Sequence, residues 1–184
     1  INETNVEVIT IHSEHLNKKS ISDKLKLLNG LIVAPGFGQR GIEGKIEAIK
    51  YSREKKVPFF GICLGMQMAV IEYARNKLKF IKANSTEMDS ECDFPLIDLM
   101  ESQKKIKSKG GTMRLGAWSC KLLNGSRVKD IYKKEMISER HRHRYEFNNR
   151  FTDKIFNDEF KVAGINPETS LVEIIENVKH PWFV

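Results

Sequence analysis

The chain of 184 residues carries 31 Lys and Arg against 24 Asp and Glu, a formal net charge of +7, with 40% hydrophobic and 30% charged residues. This balance fits one globular domain with a core of its own and excludes a disordered chain; no apolar run approaches the roughly 20 residues of a membrane helix. Three cysteines without a CxxC pair, Cys63, Cys92 and Cys120, exclude a disulfide scaffold and suit a cytoplasmic protein. The opening Ile1-Asn2-Glu3-Thr4-Asn5 lacks a signal pattern and an initiator Met, as expected of a piece of a longer chain.

Val6 to Ile11 alternates and is rich in β-branched residues, which predicts a strand. Ile21 to Leu28 has apolar residues at helical spacing. Gly30 to Ala34 is a short continuous apolar run, the pattern of a strand buried on both faces, and it stops at the loop Pro35-Gly36-Phe37-Gly38. Gly41 to Lys55 reads as a helix with a stripe of Ile42, Ile46, Ile49 and Tyr51. Pro58 to Ile62 is a second buried strand, and Leu64 to Lys77 a second helix with Met68, Ile71 and Tyr73 facing inwards. Strand, helix, strand, helix in this order predicts parallel strands joined by right-handed crossovers. Beyond Asn76 the alternation fades. Phe94 to Met100 is an apolar island in a polar stretch, and Lys104 to Lys109 reads as a solvated face. Thr112 to Leu122, Met136 to Phe147, Phe160 to Ile165 and Leu171 to Ile175 read as strands, some antiparallel, with a short helix within Asn149 to Asn157.

The chemistry concentrates at Gly61-Ile62-Cys63-Leu64-Gly65, which fits the pattern glycine, any residue, nucleophile, any residue, glycine. A nucleophile on the turn between a buried strand and a helix projects at the carboxyl end of the sheet, where open α/β folds bind ligands. The helix N-terminus beneath it favours a thiolate. The amide of Leu64 is placed to bind an oxyanion. An isolated cysteine is usually a passive core residue; the flanking glycines and the strand-to-helix transition argue otherwise for Cys63. Cys92 and Cys120 have no such elbow. The glycine amides of the loop from Ala34 to Gly38 are candidates for a second oxyanion donor.

Together, elbow and loop resemble a class I glutamine amidotransferase, and further blocks sharpen the resemblance to the CTP synthase family. GFGQRGIEGK (36–45), GICLGMQ (61–67), ANSTE (83–87), GGTMRLG (110–116), ERHRHRYE (139–146), VEIIE (172–176) and HPWFV (180–184) match that family's motifs in its order over nearly all the chain. The resemblance implies an α/β fold, flavodoxin-like, with a mainly parallel central sheet and helices on both faces. It implies that residues 1–184 are the glutamine amidotransferase domain without its C-terminal end, and that glutamine is hydrolysed through a thioester at Cys63. Position by position it puts Gly36 and Leu64 at oxyanion and substrate contacts, and Gln67 and Glu87 at glutamine-binding positions. It makes Arg144 the glutamine-contacting arginine; a guanidinium suits a carboxylate.

The resemblance also implies that ammonia passes to a synthetase domain absent from this chain. There UTP is aminated with ATP and Mg²⁺, GTP acts as activator, and the full-length protein is a homotetramer; no cofactor and no metal belong to this domain. Two departures stand out. Pro35 replaces a family glycine and has no N–H to donate, which moves any oxyanion donor to Gly36 or later. The family's triad His and Glu follow HPWFV, beyond Val184, so none of the five histidines is expected at the nucleophile. That leaves a rival reading, a non-catalytic module that binds glutamine or a partner domain. In Arg140 to Arg144, strand alternation would put the arginines on one face and His141 and His143 on the other. No other basic and aromatic pattern supports nucleic-acid binding, and no further matched ligands support a metal. Trp118 and Trp182 read as core or rim anchors.

Overall fold

The computed structural model describes residues 3–100, 103 and 113–184. Strands β1 (Leu31–Val33) and β2 (Phe59–Gly61) pair in parallel, Ile32 opposite Phe60. The C-terminal segment adds to the other edge of β2, with a parallel bridge between Phe59 and Phe183. A second sheet runs β3 (Ala83–Ser85), β4 (Phe94–Leu99), β7 (Tyr145–Phe147), its first pair parallel and its second antiparallel. A third is antiparallel throughout, in the order β6 (Met136–His143), β5 (Arg114–Leu122), β8 (Phe160–Ile165), β9 (Val172–Asn177). The helices that connect them include α1 (Ile21–Leu25), α2 (Ile42–Lys55), α3 (Leu64–Asn76), α4 (Arg127–Tyr132) and α5 (Thr152–Ile155).

The central element is α3. Every residue from Leu64 to Ala74 is buried, because Leu-Gly-Met-Gln-Met-Ala-Val-Ile offers hardly any polar group to solvate. Met68, Ile71 and Tyr73 join Val33, Ile46, Ile49, Phe59, Leu96, Phe147, Phe160 and Phe183 in one core. The carboxylate within this helix, Glu72, is fully buried and takes a two-pronged contact from Arg53 on α2, 2.7 Å from Nη2 and 2.9 Å from Nε. A buried carboxylate without such a partner would neutralise or unfold the helix, so the pair fixes α2 against α3. Smaller clusters gather Leu16, Ile21, Leu25 and Ala48, and Cys120, Leu122, Val128, Ile137 and Val184.

Three expectations need correction. Val6 to Ile11 is not a strand: the segment is irregular, with Val6 78% and Val8 82% exposed. Alternation supplies a face but no ladder partner, and none pairs with it among the described residues. The first parallel pair is not buried on both faces, since Ile32 and Phe60, in register, both lie open. Met136 to Phe147 is two strands in different sheets, broken at Arg144, where the chain leaves the edge of one sheet for the other. The expected run Lys104 to Lys109 and the start of the Thr112 strand lie outside the described residues.

Candidate active site

Cys63 stands between β2 and α3 with φ 57° and ψ −106°, a backbone conformation that a non-glycine residue enters only under constraint. The constraint comes from its neighbours. Ile62 N–H donates to Val33 O at 3.0 Å, Gly65 N–H to Ile62 O at 2.9 Å and Gln67 N–H to Cys63 O at 3.2 Å. The glycines permit the approach: a Cβ on Gly65 would lie 2.3 Å from Val33 O, and one on Gly61 would lie 2.8 Å from the carbonyl carbon of Gly65. Leu64, the first helical residue, buries its side chain, and its N–H has no acceptor within the helix.

The thiol opens into a narrow cavity lined by Gly36, Phe37, Cys63, Gln67, Glu87, Arg142, His143, Arg144 and Tyr145. Gly36, Cys63, Gln67, Glu87 and Arg144, from four separate stretches of sequence, are thus brought together; Leu64 adjoins through its backbone. The loop after β1 presses on the elbow, since a Cβ on Gly36 would meet Leu64 Cδ2 at 3.2 Å. Glu87 holds this loop, accepting from Gly38 N–H at 2.8 Å. With Pro35 lacking a donor and Gly38 committed, the amides of Gly36 and Phe37 remain, and neither makes a hydrogen bond among the described residues. Gln67 Nε2 donates to Tyr145 O at 2.8 Å, which ties α3 to β7 across the floor.

Phe37 and Tyr145 were not singled out from the sequence, and Arg142 and His143 were weighed only for nucleic-acid or metal binding. Alternation holds as far as His143, with Arg140 and Arg142 outward and both histidines turned in; beyond it the break at Arg144 turns this residue into the cavity as well. Arg142 lies 5.9 Å over the Phe37 ring. His143 shares the cavity with Cys63, a placement that the sequence did not foretell. Its Nδ1 lies 3.3 Å from Glu146 Oε2. Burial disfavours the charged ring, but interactions with Cys63 and Glu146 outweigh it and push His143 up to about 10.

Behind His143 lies a buried ionic cluster. Arg114 Nη1 binds Glu146 Oε1 at 2.9 Å and Nη2 binds Glu173 Oε1 at 2.6 Å, all three side chains being 3–4% exposed. Glu173 Oε2 meets His141 Nε2 at 2.6 Å, and the Arg114 guanidinium stacks 4.5 Å over Trp118. Trp182 sits at the rim of the smaller cluster near Arg127. Cys120 is buried, which raises its thiol to about 12, and burial also raises Cys92; neither lines the cavity. No group of three or more metal-ligating side chains occurs among the described residues.

A family model described as glutamine amidotransferase class-I matches residues 1–184. The CTP synthase of Flavobacterium johnsoniae is 57% identical over 183 residues, which is 100% of this chain and 34% of that protein. That of Clostridium acetobutylicum is 53% identical over the same share of each. The chain therefore spans about a third of the length of these relatives. Among solved structures, a Trypanosoma brucei CTPS glutaminase domain with bound acivicin superposes with a TM-score of 0.90 at 31% identity, covering 98% of this chain and 71% of that one.

Proposed function

The chain belongs to the class I glutamine amidotransferase family, and on that premise we propose that it is the glutaminase part of a CTP synthase. It hydrolyses the side-chain amide of glutamine through a thioester at Cys63 and supplies ammonia for the amination of UTP. The observation that carries this reading is the constrained backbone of Cys63, which holds a thiol at the mouth of a cavity above a helix N-terminus. The sulfur attacks the amide carbon, and the developing oxyanion takes hydrogen bonds from the amides of Leu64 and of Gly36 or Phe37. Arg144 receives the substrate carboxylate and Glu87 its ammonium group, with Gln67 beneath.

The 34% share of the CTP synthases supports a further part of the protein that binds ATP, Mg²⁺ and UTP. The sequence shows no phosphate loop of the P-loop type, which supports assigning that chemistry to another part of the protein. A homotetramer, GTP activation and a cytoplasmic location belong to the same proposal for the full-length protein. The test is Cys63→Ala in the full-length protein. Glutamine-dependent CTP formation should vanish while ammonia-dependent formation persists; glutamine-dependent activity that survives would remove Cys63 from the mechanism.

A further inference from the structure

We propose that His180 is a positioning residue for glutamine hydrolysis: its ring anchors the C-terminal segment to the end of α2, and the anchored segment holds β2, and with it the Cys63 elbow, in place. The proposal rests on the glutaminase reading for its reaction but on separate geometry. His180 is 2% exposed and does not line the Cys63 cavity. The Trp182 N–H donates to its Nδ1 at 3.2 Å. A backbone N–H can only donate, so Nδ1 carries no proton, and Nε2 carries the proton of the neutral ring and donates it to Ser52 O at 3.1 Å. Both ring nitrogens are thereby satisfied, one within the segment and one across to α2. Burial, joined by the charges of Lys56 and Arg127, lowers the ring below 6.5, which keeps it in this neutral form.

Both ends of this contact are fixed. Ser52 is fully buried, and its carbonyl gathers the amides of Lys56 and Val57 as α2 ends, so the ring is tied to the helix terminus itself. Lys56 Nζ adds a second tie, to Lys179 O at 3.3 Å, and Arg127 Nη2 a third from α4, to His180 O at 3.2 Å. Beyond the ring the segment runs along β2. Phe59 N–H donates to Trp182 O at 2.9 Å, Val184 N–H to Phe59 O at 3.1 Å and Gly61 N–H to Val184 O at 2.9 Å. Phe183 is fully buried; its ring packs on Phe59 with centroids 4.4 Å apart and meets the His180 ring edge-on at 5.5 Å. Gly61 ends β2, close against Gly65 and just before the elbow. A strand of three residues with Phe60 open to solvent has little else to hold the edge away from β1. The path from Ser52 to Cys63 thus runs through ring, segment and strand, and it bypasses Gln67, Glu87 and Arg144, the proposed substrate contacts.

The test compares His180→Gln and His180→Asn in the full-length protein. Gln puts an N–H where Nε2 stood and keeps the bond to Ser52 O. Asn puts an oxygen where Nδ1 stood and keeps only the bond from Trp182. Each variant loses one hydrogen bond, so a merely structural role predicts equal losses. Positioning predicts a split. The kcat for glutamine-dependent CTP formation should stay within about twofold of the parent in His180→Gln and fall about tenfold in His180→Asn, with KM within about twofold in both and ammonia-dependent formation unchanged. Hydrogen exchange, followed in peptides covering Phe59 to Cys63, should quicken in His180→Asn alone. A kcat that is equal in the two variants or lower in His180→Gln, a rise in KM in place of the fall in kcat, exchange in His180→Asn no faster than in the parent, or an Asn variant that does not fold overturns the proposal. Equal variants beside an active parent leave the glutaminase reading standing. Failure of that reading would instead appear as no glutamine-dependent product from the parent protein.

Discussion

Gly65→Ala tests whether the elbow depends on close contact between helix and strand. The new Cβ would sit 2.3 Å from Val33 O, 3.1 Å from the carbonyl carbon and 3.2 Å from Val33 Cβ. Contacts below 3.0 Å are essentially never seen, so α3 and β1 must separate by at least about 0.7 Å. Neither side yields easily. Val33 O already accepts Ile62 N–H, and Gly65 N–H is bound to Ile62 O, so relief of the clash moves Cys63 relative to the loop after β1. Overpacking of this kind costs about 1–3 kcal/mol, which for a domain of this size lowers Tm by roughly 3–10 °C. A misplacement near 1 Å at a reacting group costs on the order of 100-fold, so kcat/KM for glutamine should fall about 10- to 100-fold while ammonia-dependent synthesis changes little. Thermal melts and paired glutamine and ammonia assays on the full-length protein give both numbers. Gly30→Ala, whose Cβ would meet only Pro58 O at 3.7 Å, is the control and should be near neutral. Parent-like melting and parent-like glutamine use in Gly65→Ala would refute the reasoning.

Glu87→Ala and Arg144→Ala should each raise KM for glutamine, since each removes one charged partner of a zwitterion worth about 1.5–3 kcal/mol; unchanged glutamine kinetics in both would remove them from the binding site. The ionic cluster should also make stability depend on pH from two sides, read by denaturant titration. Burial disfavours the charge on Glu173, but the hydrogen bonds from His141 and Arg114 hold its carboxyl below the usual range, so its contribution is present above about pH 4.5 and lost as pH falls through the lowered folded value. His143 is raised from 6.5 to about 10, so its contribution is full below about pH 6.5 and fades as pH rises towards 10. Arg114→Met should flatten both limbs; a profile identical to the parent would show that the cluster carries no such linkage.

The parts of the fold that could be read from the sequence are those whose signal is local. The stripe of Ile42, Ile46 and Ile49 marks α2, and the glycines at 61 and 65 mark the turn from β2 into α3, because period and turn chemistry are written within a few residues. Val6 to Ile11 carries an equally clear local signal and has no partner strand among the described residues, because alternation says nothing of what lies beside it. The open face at Ile32 and Phe60 escaped for the same reason, since a continuous apolar run does not report how many layers cover it. At the site, Cys63 was legible from its elbow, whereas Gln67, Glu87 and Arg144 came from resemblance alone. His143 was hidden by the alternation that seemed to explain it: the period of two predicted its face correctly, but only the break at Arg144 reveals that this face ends against Cys63.

Two buried ionic groupings in the structure serve different ends, and charge balance tells them apart. Arg53 and Glu72 form a closed pair, one charge of each sign, with both carboxylate oxygens engaged by one guanidinium. Only the half-exposed Glu54 adds a longer contact to Arg53, at 3.5 Å, and the pair acts as a pin between two helices. The cluster behind the cavity does not close in this way. Arg114 supplies one positive charge to two carboxylates, Glu146 and Glu173, and each carboxylate turns its remaining oxygen to a histidine. The surplus negative charge, held where water cannot screen it, favours a proton on His143. Of the two, His143 is the one that lines the cavity with Cys63. Arg114 stands 32 and 59 residues from Glu146 and Glu173 in the chain, in three motif blocks with no visible reason to keep company; in the fold they form one buried charge network whose Glu146 also meets His143 at the edge of the Cys63 cavity.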